Sequence, residues 1–198
     1  MKRLKAVVMV GLLGVSSLGY ANDIYVEQVG SSSTVTITQQ GTGNTVGNST
    51  DSIYIGSGSN TVSIDQIGDS NILAMVVNGS SANTTVVTTG SGNTQTINCG
   101  TTVSAGCSGS TITQTVTGDD NIITQNLGAG ANHTSNITVT GDTNTVTHTS
   151  TATGTTTMNA TISGNLNTVG VTQSGMTTQN VTINSTGNSN SITVNQSN

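Results

Sequence analysis

Proline, phenylalanine and tryptophan are absent from this chain, tyrosine occurs three times, and only 6% of the residues are charged. Without large aromatic side chains, too little apolar area is available per residue for a conventional core to offset the entropy of ordering the chain. The scarcity of charge and the lack of proline argue equally against ordinary disorder, which is sustained by net charge or proline. Cations are confined to Lys2, Arg3 and Lys5. The rest of the chain has nothing to neutralise phosphates, which excludes nucleic-acid binding, and nothing to dock it on anionic lipid. What is present is 40 Thr, 25 Ser, 25 Gly, 23 Asn and 10 Gln, together 123 of 198 residues. Such a chain stabilises itself by backbone pairing and by stacking of small and amide side chains.

The three cations precede an apolar run from Ala6 to Val15 and a small-residue exit, Leu18-Gly19-Tyr20-Ala21. That order is the pattern of a secretion signal, with cleavage expected after Ala21. The expected organisation is therefore a signal peptide over 1–21, a repeat domain over 22–198, and an extracellular or cell-surface location. The apolar run is short of the roughly 20 residues a membrane span needs, and no other run approaches that length, so no stable membrane insertion is expected. The exported part keeps the acids Asp23, Glu27, Asp51, Asp65, Asp69, Asp119, Asp120 and Asp142. Export also permits a disulfide, and the eight-residue separation of Cys99 and Cys107 suits one local bridge. Such a bridge is worth about 2 to 3 kcal/mol in the chain-entropy picture. The spacing differs from the two-residue gap of redox and zinc motifs.

Internal repetition dominates everything else. A Gly-x-x-Asn element recurs at Gly41/Asn44, Gly68/Asn71, Gly90/Asn93, Gly118/Asn121, Gly141/Asn144, Gly164/Asn167 and Gly187/Asn190, and the last four copies are evenly spaced. Degenerate copies fall between them, including Ser57/Asn60, Ser80/Asn83 and Ala129/Asn132, so the spacing of the fourth positions is 11 or 12 nearly throughout. Two steps, from 44 to 60 and from 93 to 110, are about five residues too long. They read as loop insertions near 47–52 and 99–109, the second holding both cysteines. A fixed period of this length is the signature of a stacked repeat architecture.

Between turns the chain alternates with period two, which marks strands rather than helices. The inward series are Val35, Ile37, Gln39; Val62, Ile64, Gln66; Ile112, Gln114, Val116; Val169, Val171, Gln173; and Ile192, Val194, Gln196. Leu73, Ile123 and Val146 follow their turns in the same sense. Each unit is thus a short strand and a tight turn in which Gly and Asn tolerate positive φ. Strand, turn, strand, turn makes one rung of about 23 residues, within the range of repeat periods that build solenoids. The expected fold is an all-β solenoid of about seven such rungs, with two facing parallel in-register sheets and rungs about 4.8 Å apart. Buried amides are costly alone, but in register each bonds to its copies above and below.

At this level the chain resembles the curlin repeat of bacterial curli subunits, Ser-x-x-x-x-x-Gln-x-Gly-x-x-Asn-x-Ala-x-x-x-Gln. Ser33, Gln39, Gly41 and Asn44 match, with Val46 in the Ala place; Gln66, Gly68, Asn71 and Leu73 match again, with Asn60 for Ser. Asn190-Ser191-Ile192 to Gln196 repeats the trailing half. The copies at Thr88, Val116, Val139, Ile162 and Ser185 replace the leading Gln, so the amide ladder on that side is expected to be interrupted. The resemblance implies a secreted structural subunit that polymerises into extracellular amyloid fibres for biofilm matrix and adhesion. Its implied partners are further copies of itself through the solenoid ends, a nucleator subunit and an outer-membrane exporter.

Other features support weaker readings. Asp69, Asp119 and Asp142 occupy equivalent turn places and could bind calcium, but their spacing does not assemble a cage of six or more oxygens; Asp is in any case a common turn residue. His133 and His148 lack a second ligand at metal spacing and read as fillers, so no metal or cofactor is expected. No Gly-x-Ser-x-Gly elbow has the hydrophobic context of a hydrolase nucleophile, and the chain reads as non-enzymatic. Thr36-Ile37-Thr38, Thr138-Val139-Thr140 and Thr145-Val146-Thr147-His148-Thr149 suggest an ice- or polysaccharide-binding face. Segments 62–65, 72–75 and 168–171 break such rows. A stalk or passenger segment of a surface adhesin is the remaining alternative.

Overall fold

Small β-branched residues at every second position favour extended backbone, and the regularly recurring glycines end each extension, so that the longest strands have 8 residues. The computed structural model describes residues 7–12, 21–28, 33–47, 53–55, 60–77, 83–99, 109–128 and 132–198, among which there are strands and turns and no helix. In chain order the strands are β1 (Val7–Leu12), β2 (Asp23–Ile24), β3 (Val26–Gln28), β4 (Thr34–Gln40), β5 (Thr45–Val46) and β6 (Ile53–Ile55). They continue with β7 (Thr61–Ile67), β8 (Ile72–Val77), β9 (Asn83–Thr89), β10 (Thr94–Cys99), β11 (Thr111–Thr117) and β12 (Ile122–Leu127). The last six are β13 (His133–Thr140), β14 (Thr145–Ser150), β15 (Thr156–Ser163), β16 (Thr168–Ser174), β17 (Gln179–Thr186) and β18 (Ser191–Ser197).

Successive strands alternate between two sheets. Sheet A is ordered β1-β4-β7-β9-β11-β13-β15-β17, and sheet B runs from β2 through β5, β8, β10, β12, β14 and β16 to β18, with β3 and β6 beside them. Every pairing is parallel. From β13 onward the register advances by one full repeat at each rung, His133 opposite Thr156 and Thr156 opposite Gln179. The molecule is a β-solenoid with seven strand–turn–strand units from β4 to β18.

The register also locates the two long steps. Val46 lies opposite Leu73 and Ile55 opposite Val77, so nine residues of one rung span four of the next, an excess of five. On the other side Tyr25 alone bridges the gap: its N–H donates to the Val46 carbonyl and its carbonyl accepts from Ile53 N–H. At the second step Cys99 is opposite Leu127 and Thr111 opposite Thr134, twelve residues against seven. Cys99 thus ends β10, while its expected partner Cys107 lies outside the described residues. Part of the apolar run assigned to the leader forms β1, paired in parallel with β4 from Val7 opposite Thr34 to Leu12 opposite Gln39.

The turns differ from the expectation in one respect. Glycine does take positive φ, +107° to +129° across the seven Gly-x-x-Asn turns, but the Asn does not. The second left-handed residue is the one before it: Gly43, Ser70, Gly92, Asp120, Thr143, Leu166 and Ser189. The glycine is required by proximity as well as by φ. A Cβ on Gly118 would collide with the carbonyl oxygen of Gly141 in the next rung.

Candidate functional site

Everything distinctive about this molecule lies in the rows that the register creates between rungs and in what those rows present at the two ends. Rows Val35, Val62, Thr84, Ile112 and Ile37, Ile64, Val86, Gln114 face the interior from sheet A; Leu73, Ile123, Val146, Val169 and Val171 face it from sheet B. Every residue assigned to the inward rows from Val35 to Gln173 is buried, whereas Asn190, Ile192, Val194 and Gln196, on the outermost described strand of sheet B and the turn before it, are half-buried.

The Asn of each turn forms a continuous ladder. Asn71 donates its backbone N–H and its Nδ2 to Asn44 Oδ1, both at 3.0 Å, and its Nδ2 also to the Gly90 carbonyl at 2.7 Å. The same set recurs at Asn93 and Asn121. Asn144 and Asn167 repeat the first two bonds, each onto the Asn one rung before it. At the N-terminal end Asn22 Oδ1 accepts from Asn44 N–H at 2.9 Å, and at the other end Asn190 N–H donates to Asn167 Oδ1 at 2.9 Å. Asn serves this ladder rather than the backbone conformation of the turn, so its own φ need not be positive.

The carboxylates Asp69, Asp119 and Asp142 belong to a second, exposed ladder. Asp69 Oδ1 accepts Thr42 N–H at 2.7 Å, Asp119 Oδ1 accepts Ser91 N–H at 2.7 Å and Asp142 Oδ1 accepts Asp119 N–H at 2.9 Å. Asn165 and Asn188 continue it at 2.8 Å. The bonds run to the preceding rung rather than within the turn. Among the described residues no group of three or more His, Cys, Asp or Glu could hold a metal ion.

The glutamine row of sheet A is interrupted as expected: Thr88 and then Val116 follow Gln66 in register, and Gln66 Nε2 is buried without a hydrogen-bond partner. Gln39 Nε2 donates to Gln66 Oε1 at 2.9 Å. A separate set of amides crosses the core from Thr88: Gln95 in sheet B donates to Thr88 Oγ1, Gln114 in sheet A donates to Gln95, and Gln125 in sheet B donates to Gln114 at 2.8 Å. This crossing separates the apolar interior into two clusters, one ending at Ile112 and Leu127 and the other beginning at Val116 and Ile123. Beyond it His148 in sheet B, opposite Val171, reaches diagonally to Gln173 at 3.0 Å, and Gln173 bonds Gln196 opposite it at 3.1 Å.

His133 and His148 are fully buried members of this interior. His133 Nε2 donates to the Gly128 carbonyl at 3.1 Å and Nδ1 accepts from Thr156 at 2.5 Å. His148 Nε2 donates to Gln173 Oε1, leaving Nδ1 to accept from Ser135 Oγ at 3.4 Å. Burial lowers both pKa values, that of His148 to about 4. Strand parity would have placed them inward, since His148 is two residues from Val146 and His133 four from Ile137.

The outer faces sort the threonines unequally. Of the three segments that break the Thr rows, 72–75 and 168–171 lie in sheet B, and only 62–65 lies in sheet A. On sheet A, Thr111, Thr115 and Thr117 stand opposite Thr134, Thr138 and Thr140, and Thr134 and Thr138 opposite Thr157 and Thr161.

Both ends of the column are strand edges. Sheet B terminates in β2 and β3 at one end and β18 at the other. Ile24 and Val26 pack half-exposed against one apolar cluster, and Ile192 and Val194 against the other. Compared with known proteins, the chain matches no family model, no curated sequence and no solved structure.

Proposed function

We propose that this chain is a non-enzymatic secreted structural subunit that self-assembles end to end into curli-like amyloid fibres of an extracellular matrix. The carrying observation is that in-register parallel sheets stop at both ends with apolar rows half-covered, on strands of low charge and no proline. Uncovered edges of this kind template further pairing. The Asn and Gln ladders support the same reading, because they repeat within the chain the amide stacking that holds amyloid together. The resemblance to the curlin repeat supplies the extracellular setting, the adhesive role, and a nucleator and exporter as partners. A Cys99–Cys107 bridge fits that setting as a closure for the second insertion.

Fibre diffraction tests the reading, with thioflavin T fluorescence followed alongside. A meridional reflection near about 4.7 Å with time-dependent dye binding is expected, whereas a persistently soluble β-rich monomer would overturn it. Ile192→Lys with Val194→Lys is expected to stop growth at the C-terminal face. Reduction of the cysteines should loosen one loop and spare assembly.

The threonine array on sheet A favours a second reading, an ice- or polysaccharide-binding face. Its hydroxyls repeat about every 4.8 Å between rungs and about every 6.7 Å along a strand. Thermal hysteresis by the unassembled chain, abolished by Thr115→Tyr, would establish this function in place of the first.

A further inference from the structure

We infer that successive copies join head to tail through sheet B, with β18 of one copy paired in parallel with β2 and β3 of the next, Ser191 opposite Asp23 and Gln196 opposite Gln28. This rests on the self-assembly reading and adds to it the polarity and register of the joint.

The two terminal strands of sheet B share one residue pattern. β18 reads Ile192-Thr193-Val194-Asn195-Gln196, and β2 with β3 reads Ile24-Tyr25-Val26-Glu27-Gln28, the same Ile-x-Val-x-Gln series at opposite ends of one sheet. Within the chain, Ile192 and Val194 stand on Val169 and Val171, and Ile24 beneath Val46. Joining the strands in this register sets Ile24 on Ile192 and Val26 on Val194, covering the four inward apolar residues that the isolated column leaves half-exposed. A slip of one residue would turn every one of them outward.

The Asn ladder has a direction. Each Asn offers its N–H to the Oδ1 of the rung before it, so the row ends with the Asn190 Oδ1 acceptor at one face and the Asn22 N–H donor at the other. The backbone runs in the opposite sense, Thr168 N–H to the Asn190 carbonyl and Asp23 N–H to the Asn44 carbonyl. At the joint, Asn22 N–H would meet Asn190 Oδ1 while Ser191 N–H meets the Asn22 carbonyl, reproducing the internal rung contact. Two C-terminal faces together would oppose Oδ1 to Oδ1.

Cleavage after Ala21 would remove β1, which lies at the level of β2 and β3, so that sheet A would start at β4 and sheet B, one strand ahead, would carry the joint.

Cysteine pairs on the outward side of the terminal strands test the register in the full-length chain, since positions 23, 25, 191 and 193 persist whether or not the leader is removed. Tyr25→Cys with Thr193→Cys, and separately Asp23→Cys with Ser191→Cys, would place Cα atoms about one strand spacing apart, within disulfide range. The diagonal pair Asp23→Cys with Thr193→Cys would be about 8 Å apart, beyond it. Mild oxidation of fibres is expected to yield multimers from either matched pair, at least tenfold above the diagonal pair and the single variants. Fibres in which the diagonal pair or Thr193→Cys alone cross-links as well as the matched pairs would overturn the joint and leave the fibre reading standing. Absence of fibres from the unaltered chain would overturn the fibre reading itself.

Discussion

His148 Nε2 lies 3.0 Å from Gln173 Oε1 in the space between the two sheets, one rung from its partner and out of reach of solvent. The neutral ring satisfies this arrangement, donating at Nε2 and accepting at Nδ1 from Ser135. Neither of these partners is charged, and the other ionisable group acting on it, His133, disfavours its charge.

Stability should therefore fall in mild acid. The unfolded chain takes up a proton at the ordinary value near 6.5, while folded His148 does so only near about 4. Stability is fully present above about pH 6.5 and is lost as pH falls toward 4, by about 3 kcal/mol from this residue. Urea midpoints at pH 7.5 and pH 4.5 measure the loss, and His148→Gln should remove most of it. An unchanged pH dependence in that variant would place the titrating group elsewhere.

Asn121 makes ladder bonds on both sides, whereas Asn190 makes them on one. Asn121→Ala leaves Asn144 N–H and Nδ2 and the Gly141 carbonyl without that partner inside the column. The expected cost is about 2 to 4 kcal/mol. Asn190→Ala should cost under about 1 kcal/mol in the monomer. Equal effects in denaturation would mean the ladder contributes little.

Gly118 and Gly187 share the same turn conformation, at φ +128° and +107°. A Cβ on Gly118 meets the backbone of Gly141, while one on Gly187 meets nothing nearer than Asn190 Nδ2 at 3.6 Å. Gly187→Ala should cost only the conformational strain, about 1 to 3 kcal/mol. Gly118→Ala must also push two rungs apart and should cost clearly more, read as a lower midpoint and faster proteolysis near the turn.

Thr143 holds a left-handed φ of +57° with a β-branched side chain on an exposed turn. Thr143→Gly relieves that strain and should raise stability by about 1 kcal/mol. A decrease would show that the Thr side chain makes up for its backbone.

The period, the inward rows and the glycines were legible because each is a local pattern: Val35, Ile37 and Gln39 announce a strand face without reference to any other strand. The crossing of amides at Gln95, Gln114 and Gln125 was not, because it depends on which residues of two facing sheets meet, and no spacing along the chain encodes that. The turn was half legible. Gly at its first place is visible as a letter, but Thr143 and Leu166 adopt the left-handed conformation under the constraint of the stacked rungs, against their own preference. The buried histidines were hidden by their rarity, although parity placed them.

The first insertion leaves sheet B thin at one level. Among the described residues it is joined between the first two units by two residue pairs at β5 and one at β6, against six between β8 and β10. Hydrogen bonds between rungs lie along the column, so tension along a fibre loads the interfaces in series and the weakest one sets the breaking strength. With the leader removed, β2 and β3 are held to β5 and β6 by five residue pairs and have no described strand beside them in sheet A, against ten pairs between the first two units among the described residues. A stretched fibre should therefore part beside β2 and β3, and each break would expose β4, β5 and β6 as a fresh edge. Mechanical damage would then multiply the number of growing ends rather than halt growth.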